Sequence, residues 1–300
     1  MEKERKPGIV SLGDVAWDFL LEVSEEICWG SDVQGKVEFS YGGSACNFAV
    51  WASRKGARVR LIGKVGMDLL GNMILAHLKE EGVNFPFPPV PNARTARIGV
   101  FVSPKGERGM VMDKDPGLSF HSEDFSPTLV EGFDLLFFTG YAIFHRPSIE
   151  FFRMILSEAR NQGLLTAFDP SSFHLMEDFG YKELRDLVSP LDFLLLNEDE
   201  ARRFSPQGDF RDLLSFSKIA VIKRGELGAI ALSGSGEFSS PAFPSPVLDT
   251  TGAGDAFDAG FLVEYLKSKN IEESLKEGNM LGSYVVSHLG AQPPWEKKRR

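Results

Sequence analysis

Asp249-Thr250-Thr251-Gly252-Ala253-Gly254-Asp255-Ala256-Phe257 joins a polar turn to an apolar run. Ala256, Phe257, Ala259, Gly260, Phe261, Leu262, Tyr265 and Leu266 recur as they would on a buried helix. Gly252, Ala253 and Gly254 then fall at the helix N-terminus. There the first backbone N–H groups lack intrahelical partners and the macrodipole is positive. Such an end takes anions, and glycines let a phosphate approach the backbone. Asp255 would repel a phosphate, but it is suited to take a proton from an attacking hydroxyl as a general base. The same letters read equally well as a helix-capping aspartate after a glycine turn.

The composition bounds the choices. The chain has 300 residues, 43% hydrophobic and 25% charged, the balance of a soluble globular protein. That length suits one large α/β domain or two smaller ones. A net charge of −9 gives no basic face for nucleic acid. No apolar run reaches the roughly 18 residues of a membrane span, and no leader pattern is visible. No nucleic-acid or membrane partner is expected, and the expected location is the cytoplasm. The basic ends, Lys3 to Lys6 and Lys297 to Arg300, read as solvated tails. Cys28, Cys46 and five scattered histidines show no metal-ligand spacing and predict no disulfide.

Along the chain, Gly8 to Gly13 reads as a buried strand followed by Asp14 and Asp18. Acids just past a first strand stand where open α/β sheets bind ligands, and each can accept from two hydroxyls. A turn and a cap would use the same residues. Residues 19–23 and 35–41 read as strands, with Trp29 between them as an aromatic of a small sheet or of packing. Gly42 and Gly43 make a turn into a helix carrying Asn47, whose amide both donates and accepts. A strand over 59–65 leads to Asp68, a helix N-cap before 69–78. Residues 95–103, which hold Arg97, and 108–112 form a hairpin around Pro104 to Glu107. Strands at 135–139, 164–169, 193–196 and 219–223 follow, with an amphipathic helix over 148–162. Asp169 ends one of these strands in a phosphate-facing, supporting or turn role. Asn197 to Glu200 reads as an acidic helix start, and Lys223 to Gly228 as a glycine turn. Helices are expected over 271–277 and 279–289.

Taken together, these segments resemble the PfkB (ribokinase-like) carbohydrate kinases. The stretch at 249–257 is similar to that family's C-terminal signature. Gly13-Asp14 with Asp18 resembles its G-D-x-x-x-D element, Gly42 to Ala49 its G-G-x-x-x-N-x-A, and Gly63 to Gly71 its G-x-V-G-x-D-x-x-G. Asn197 with Glu200 resembles N-x-x-E, and Lys223 to Gly228 resembles T-x-G-x-x-G with Lys in place of Thr. The motifs run in family order from residue 13 to residue 291.

The resemblance implies a ribokinase-like three-layer α/β sandwich with a mainly parallel sheet and a small β-sheet lid. It implies one domain over 1–300, with lid insertions at about 15–40 and 93–115. It further implies ATP-dependent phosphorylation of a sugar or polyol hydroxyl, with Asp255 as base and Gly252, Ala253 and Gly254 steadying the transferred group. Asp14, Asp18, Gly42, Gly43, Asn47 and Arg97 would hold the acceptor. Asn197, Lys223, Gly225, Gly228 and Asn279 would face the nucleotide. Glu200 would hold Mg²⁺ through water. Asp249 and Thr251, with the loop Gly290-Ala291-Gln292-Pro293, would hold a monovalent cation such as K⁺. An exposed lid edge would suit a homodimer. Two departures leave the acceptor open: Lys114-Asp115-Pro116-Gly117 replaces an Arg-Gly-Ala-Asn-like segment, and Asp169-Pro170-Ser171-Ser172 replaces Asp-Pro-Asn-x-Arg. A nucleoside kinase of the same fold is the alternative, then a non-catalytic sugar sensor, which the intact Gly-Ala-Gly-Asp disfavours. No G-x-G-x-x-G follows the first strand, which disfavours a dinucleotide-binding oxidoreductase.

Overall fold

The computed structural model describes residues 5–27, 30–104, 108–144, 146–205 and 208–295. Cys28, Trp29, the hairpin tip at 105–107, Lys3 and the stretch Lys297 to Arg300 lie outside them. Nine strands form the main sheet: β1 (Gly8–Leu12), β4 (Arg58–Ile62), β5 (Val83–Asn84), β8 (Leu135–Thr139), β9 (Leu165–Asp169), β10 (Leu191–Asn197), β11 (Ser217–Lys223), β12 (Ala229–Ser233) and β13 (Gly236–Ser240). Their order is β13-β12-β11-β10-β9-β8-β1-β4-β5, and only the β12 and β13 pairings are antiparallel.

The parallel strands are apolar on both faces because helices cover both. Side chains alternate between two cores with the period of a strand. Ile9, Phe137, Phe193 and Leu195 join a core with α1 (Ser44–Arg54), α2 (Leu69–Glu80), α7 (Ala253–Ser268) and α8 (Ile271–Val286). Val10, Phe138, Leu194 and Leu196 join the other, with α3 (Ile149–Asn161), α4 (Phe173–Phe179), α5 (Tyr181–Val188) and α6 (Glu198–Phe204). The result is the expected three-layer α/β sandwich. The expected break near residue 278 does not occur. α8 runs through it because Gly278, lacking a side chain, lies against the Phe257 ring, where an added Cβ would come within 2.9 Å.

After β1 the chain builds outward to β4 and β5, then returns to place β8 on the other side of β1. This reversal opens a crevice at the carboxyl ends of the strands, the usual ligand position of such sheets.

A second, four-stranded sheet has the order β3-β2-β6-β7, from β2 (Ala16–Val23), β3 (Gly35–Gly42), β6 (Ala96–Val102) and β7 (Arg108–Asp113). Its first strand begins earlier than its apolar pattern suggests. Ala16 and Trp17 already pair with Gly42 and Tyr41, so Asp18 lies inside β2, opposite Ser40. Asp68 joins this sheet to α2. Its Oδ1 accepts from Gly71 N at 2.8 Å and Thr95 Oγ1 at 2.6 Å, and its Oδ2 accepts from Thr95 N at 2.8 Å. These donors hold the carboxyl below the usual range against its partial burial. Asp68→Ala should therefore lower the unfolding free energy by roughly 1–2 kcal/mol, read from the urea midpoint at constant m-value.

Candidate active site

Five strand ends supply the crevice. β1 delivers Asp14, β8 delivers Thr139 and Tyr141, β9 ends on Asp169, β10 on Asn197 and β11 on Lys223. The start of α7 packs over them and brings Asp255.

Gly252 takes φ +75° to start α7, and a Cβ there would strike Ala291 at 2.4 Å. A left-handed, crowded position of this kind accepts glycine alone at little cost. The N–H of Ala253 donates to Thr250 O at 3.3 Å. Among the described residues no acceptor takes the N–H of Gly252, Gly254 or Asp255, so of the expected donors only Ala253 is engaged, and Asp255 adds one more.

Asp255 is half-buried and its Oδ2 accepts from Asn47 Nδ2 at 2.8 Å. Burial pushes its carboxyl up to about 7, with Asp169 and Asp14 adding to the rise and Asn47 and Lys223 opposing it. That is the range a general base needs to act near neutral pH.

The two N-terminal acids differ. Asp14 accepts from Ser44 N at 3.1 Å and Ala45 N at 3.3 Å, so it caps α1 from the loop after β1. Burial raises it against these bonds. Asp18 is 6% exposed and its Oδ1 has no hydrogen-bond partner among the described residues. Burial, then Asp14 and Asp249, push it up to about 7. Gly42 lies directly beside it, where a Cβ would come within 2.2 Å of the carboxylate. Gly43 is the N-cap of α1. Arg97 pairs with Asp113 at 3.4 Å, and its Nε is also buried without a partner among the described residues. A buried orphan polar atom is costly unless something arrives to satisfy it.

On the other side of the crevice, Lys223 Nζ lies 2.6 Å from Asp169 Oδ2 and 3.0 and 3.1 Å from the two Asp258 oxygens. Asp169 also accepts from Ser171 N at 2.6 Å, so it supports the site and shapes its own turn. Lys223 lowers Asp169 against the penalty of its burial, while complete burial raises Asp258. The ion pair is therefore Lys223 with Asp169, and Asp258 holds a proton more tightly beside them. A Cβ on Gly254 would meet Lys223 Nζ at 3.5 Å, so the ammonium stands just behind the open α7 donors.

Asn197 caps α6 in a box with Glu200: Glu200 N donates to Asn197 Oδ1 and Asn197 N to Glu200 Oε2, both at 2.8 Å. Glu200 is 2% exposed, and burial, then Asp169, push it up to about 7. Gly225 opens a short turn after β11 and Gly228 closes it. A pocket of about 390 Å³ is lined there by Asn197, Asp199, Arg202, Lys223, Arg224 and Gly225. Asn279 Nδ2 donates to Ser240 O at 2.9 Å, which ties α8 to β13. Asp249 is buried; it accepts from Thr251 N at 2.9 Å and Gly290 N at 3.0 Å, joining the α7 turn to the C-terminal loop.

Sequence reasoning missed Asp258, Tyr141 and His77, and it named Gln292 only within the loop expected to hold a monovalent cation. The first had a signal: one acid among Ala256, Phe257, Ala259 and Gly260 on a buried helix needs a partner. Tyr141 had none. Its hydroxyl is raised by burial and by Asp14, Asp255, Asp169 and Glu200, which places it among the crevice acids.

A profile of the pfkB family carbohydrate kinases matches residues 6–298. The chain is 24% identical over 297 residues to an ATP-dependent 6-phosphofructokinase of Thermoanaerobacterium thermosaccharolyticum, covering 96% of this chain and 90% of that one. It is 27% identical over 267 residues to a ribokinase of Bacillus subtilis, covering 84% and 83%. The crystal structure of adenosine kinase from Sinorhizobium meliloti superposes with a TM-score of 0.86 at 25% identity, covering 96% of both chains.

Two expectations follow from the electrostatics. Lys223→Met leaves Asp169 buried without its cation and should cost roughly 3–5 kcal/mol, with Lys223→Met/Asp258→Leu less destabilised than the single variant in calorimetry. Asp18, Asp255 and Glu200 are raised in the fold to about 7. The native state therefore binds more protons than the unfolded chain at intermediate pH. The stability these groups contribute is full below about pH 4 and is lost as pH rises through about 7. The ligand-free Tm should thus fall between pH 5 and 8, and Asp18→Asn should flatten that fall.

Proposed function

Because the chain belongs to the pfkB family of carbohydrate kinases, we propose that it moves the γ-phosphoryl group of ATP to a sugar or polyol hydroxyl with Asp255 as general base. The observation that supports these roles is the placement of Asp255. It stands in the first turn of α7, whose N-terminal N–H groups are open, within hydrogen-bond reach of Asn47 and close enough to Asp14 for that carboxylate to raise it.

In this reading the acceptor lies under the small sheet, which acts as a lid over one domain. Asp18 Oδ1 accepts from one substrate hydroxyl and so gains the partner it lacks. Gly42 and Gly43 keep the approach open. Asn47, engaged with Asp255, adds one remaining amide hydrogen. Arg97 Nε faces the same ligand. The reacting hydroxyl gives its proton to the Asp255 carboxylate as its oxygen bonds to the γ-phosphorus and the bond to ADP breaks. The N–H groups of Gly252, Gly254 and Asp255, backed by Lys223, meet the charge on the transferred group. One such fixed donor is worth roughly 3 kcal/mol in comparable sites. A lid excludes water, the competing acceptor.

A hydrated Mg²⁺ carried with ATP would offset phosphate charge. The nearby carboxyls suit a hydrated ion better than direct ligation. Asp169 is taken by Lys223 and Ser171, and Glu200 has one oxygen on Asn197 N. Gly225 lines the nucleotide pocket and Gly228 closes the turn behind it, while Asn279 acts through β13. The oxygen-rich turn at Asp249 and Thr251 beside Gly290 suits a monovalent cation such as K⁺. The lid sheet exposes Val37, Phe39, Met110 and Met112, each more than half exposed, which supports pairing with a second copy. No helix among the described residues is long and apolar enough to cross a membrane.

The likeness to an adenosine kinase supports a nucleoside acceptor as the second reading. ADP release with MgATP across hexoses, pentoses, polyols, sugar acids and nucleosides decides between them, with Asp255→Ala as the blank. Turnover on a sugar or polyol, absent in the variant, is expected. Turnover on nucleosides alone would transfer the assignment, and turnover on none would contradict it. Because the base must be ionised and its carboxyl is raised to about 7, kcat should fall as pH drops through that value.

A further inference from the structure

Four side chains distant in sequence form one hydrogen-bonded line ending on Asp255. His77 Nε2 lies 2.7 Å from Gln292 Oε1, Gln292 Nε2 lies 2.8 Å from Asn47 Oδ1, and Asn47 Nδ2 lies 2.8 Å from Asp255 Oδ2. Its direction is forced from one end. A carboxylate only accepts, so Asn47 must present its NH₂ to Asp255. The Asn47 oxygen then faces Gln292, which must present its own NH₂. The Gln292 oxygen is left to accept from His77, which must carry its proton on Nε2.

Both outer members are held in place. The loop bearing Gln292 is pinned to α1 on each side, by Trp51 Nε1 on Ala291 O at 2.9 Å and an Arg54 amino group on Pro293 O at 2.8 Å. The His77 ring, in the last turn of α2, stacks on Tyr41 with centroids 3.8 Å apart and planes 1° apart. So the line is not a chance meeting of mobile surface groups.

We infer that Gln292 and His77 are positioning residues, holding Asn47 with its NH₂ toward Asp255 so that the base is kept oriented and its carboxylate form favoured. Its meaning for catalysis rests on Asp255 as the base; the line itself does not. The groups facing Asp255 are Asn47 and the Cys46 thiol from α1, Asp14 from the end of β1, Tyr141 from the turn after β8, Asp169 from the end of β9 and Lys223 from the end of β11. The two acids disfavour ionisation, while Lys223 and Asn47 favour it. Asn47 is in direct hydrogen-bond contact, so turning its amide around would put an oxygen against the carboxylate.

The test is the titration of Asp255 itself, followed by carbon NMR on protein labelled at the aspartate carboxyl carbons. The resonance missing from Asp255→Asn identifies it. Gln292→Met should raise the midpoint by roughly one pH unit. Gln292→Glu should raise it further, because the new carboxylate draws the Asn47 NH₂ away. His77→Phe keeps the ring stack but loses the donor and should shift it the same way, while His77→Gln keeps a donor and should restore the wild-type value. An unmoved midpoint in Gln292→Met, with only a lowered Tm, would overturn the inference. If that variant does not fold, an unmoved midpoint in His77→Phe does so. The outcomes are separable. Turnover retained in Asp255→Asn would remove the base and leave a titration shift standing, whereas an inactive Asp255→Asn with no shift would remove the positioning line alone.

Discussion

Asp258 has no exposed surface, and it sits on a helix whose residues 256–263 are all buried. An acid there is tolerable because Lys223 crosses from the end of β11 to meet it, and Asp169 comes from the end of β9 to complete the charge balance. This contact joins two strand ends to one helix. It thereby sets where α7 begins, and the start of α7 holds both the open N–H groups and Asp255. The same ammonium lies behind Gly254, so the group that lets the helix be buried also adds positive charge where the phosphate is proposed to sit.

The crevice is otherwise crowded with acids. Asp14, Asp18, Asp249, Asp255, Asp169 and Glu200 share it, and burial pushes three of them up to about 7. Such a site is poorly compensated by the protein alone. Asp18 Oδ1 and Arg97 Nε, both buried without partners among the described residues, point the same way. The arrangement makes physical sense as one half of a complex, in which hydroxyls, phosphates and a hydrated cation supply what the fold withholds. Asp14 shows the economy of the design: it caps α1 and raises Asp255 at the same time.

Much of the fold was legible because its signals are local. The glycine turn into the apolar helix at 252–266, the apolar strands of the main sheet and the cap at Asp68 each follow from a few adjacent residues. The crevice acids were legible through the motif at the end of β1 and through Gly-Ala-Gly-Asp. What stayed hidden depends on long-range meetings. Asn197, Asn279 and Asn47 read as ligand contacts, and nothing in the sequence signals that each amide also holds a protein partner, in Glu200, Ser240 and Asp255. Lys223 reads as a phosphate contact, yet two acids on other elements hold it. The line from His77 to Asp255 joins positions 77, 292, 47 and 255, and no spacing in the sequence could announce it.

The central claim is that the Asp255 carboxylate takes the acceptor's proton while the start of α7 holds the phosphates. It is tested most directly on Asp255→Asn, by measuring the MgATP Kd calorimetrically and the single-turnover rate with the acceptor that wild type uses. The account predicts a Kd close to wild type and a rate reduced about 10²–10⁴-fold. A rate near wild type would contradict it.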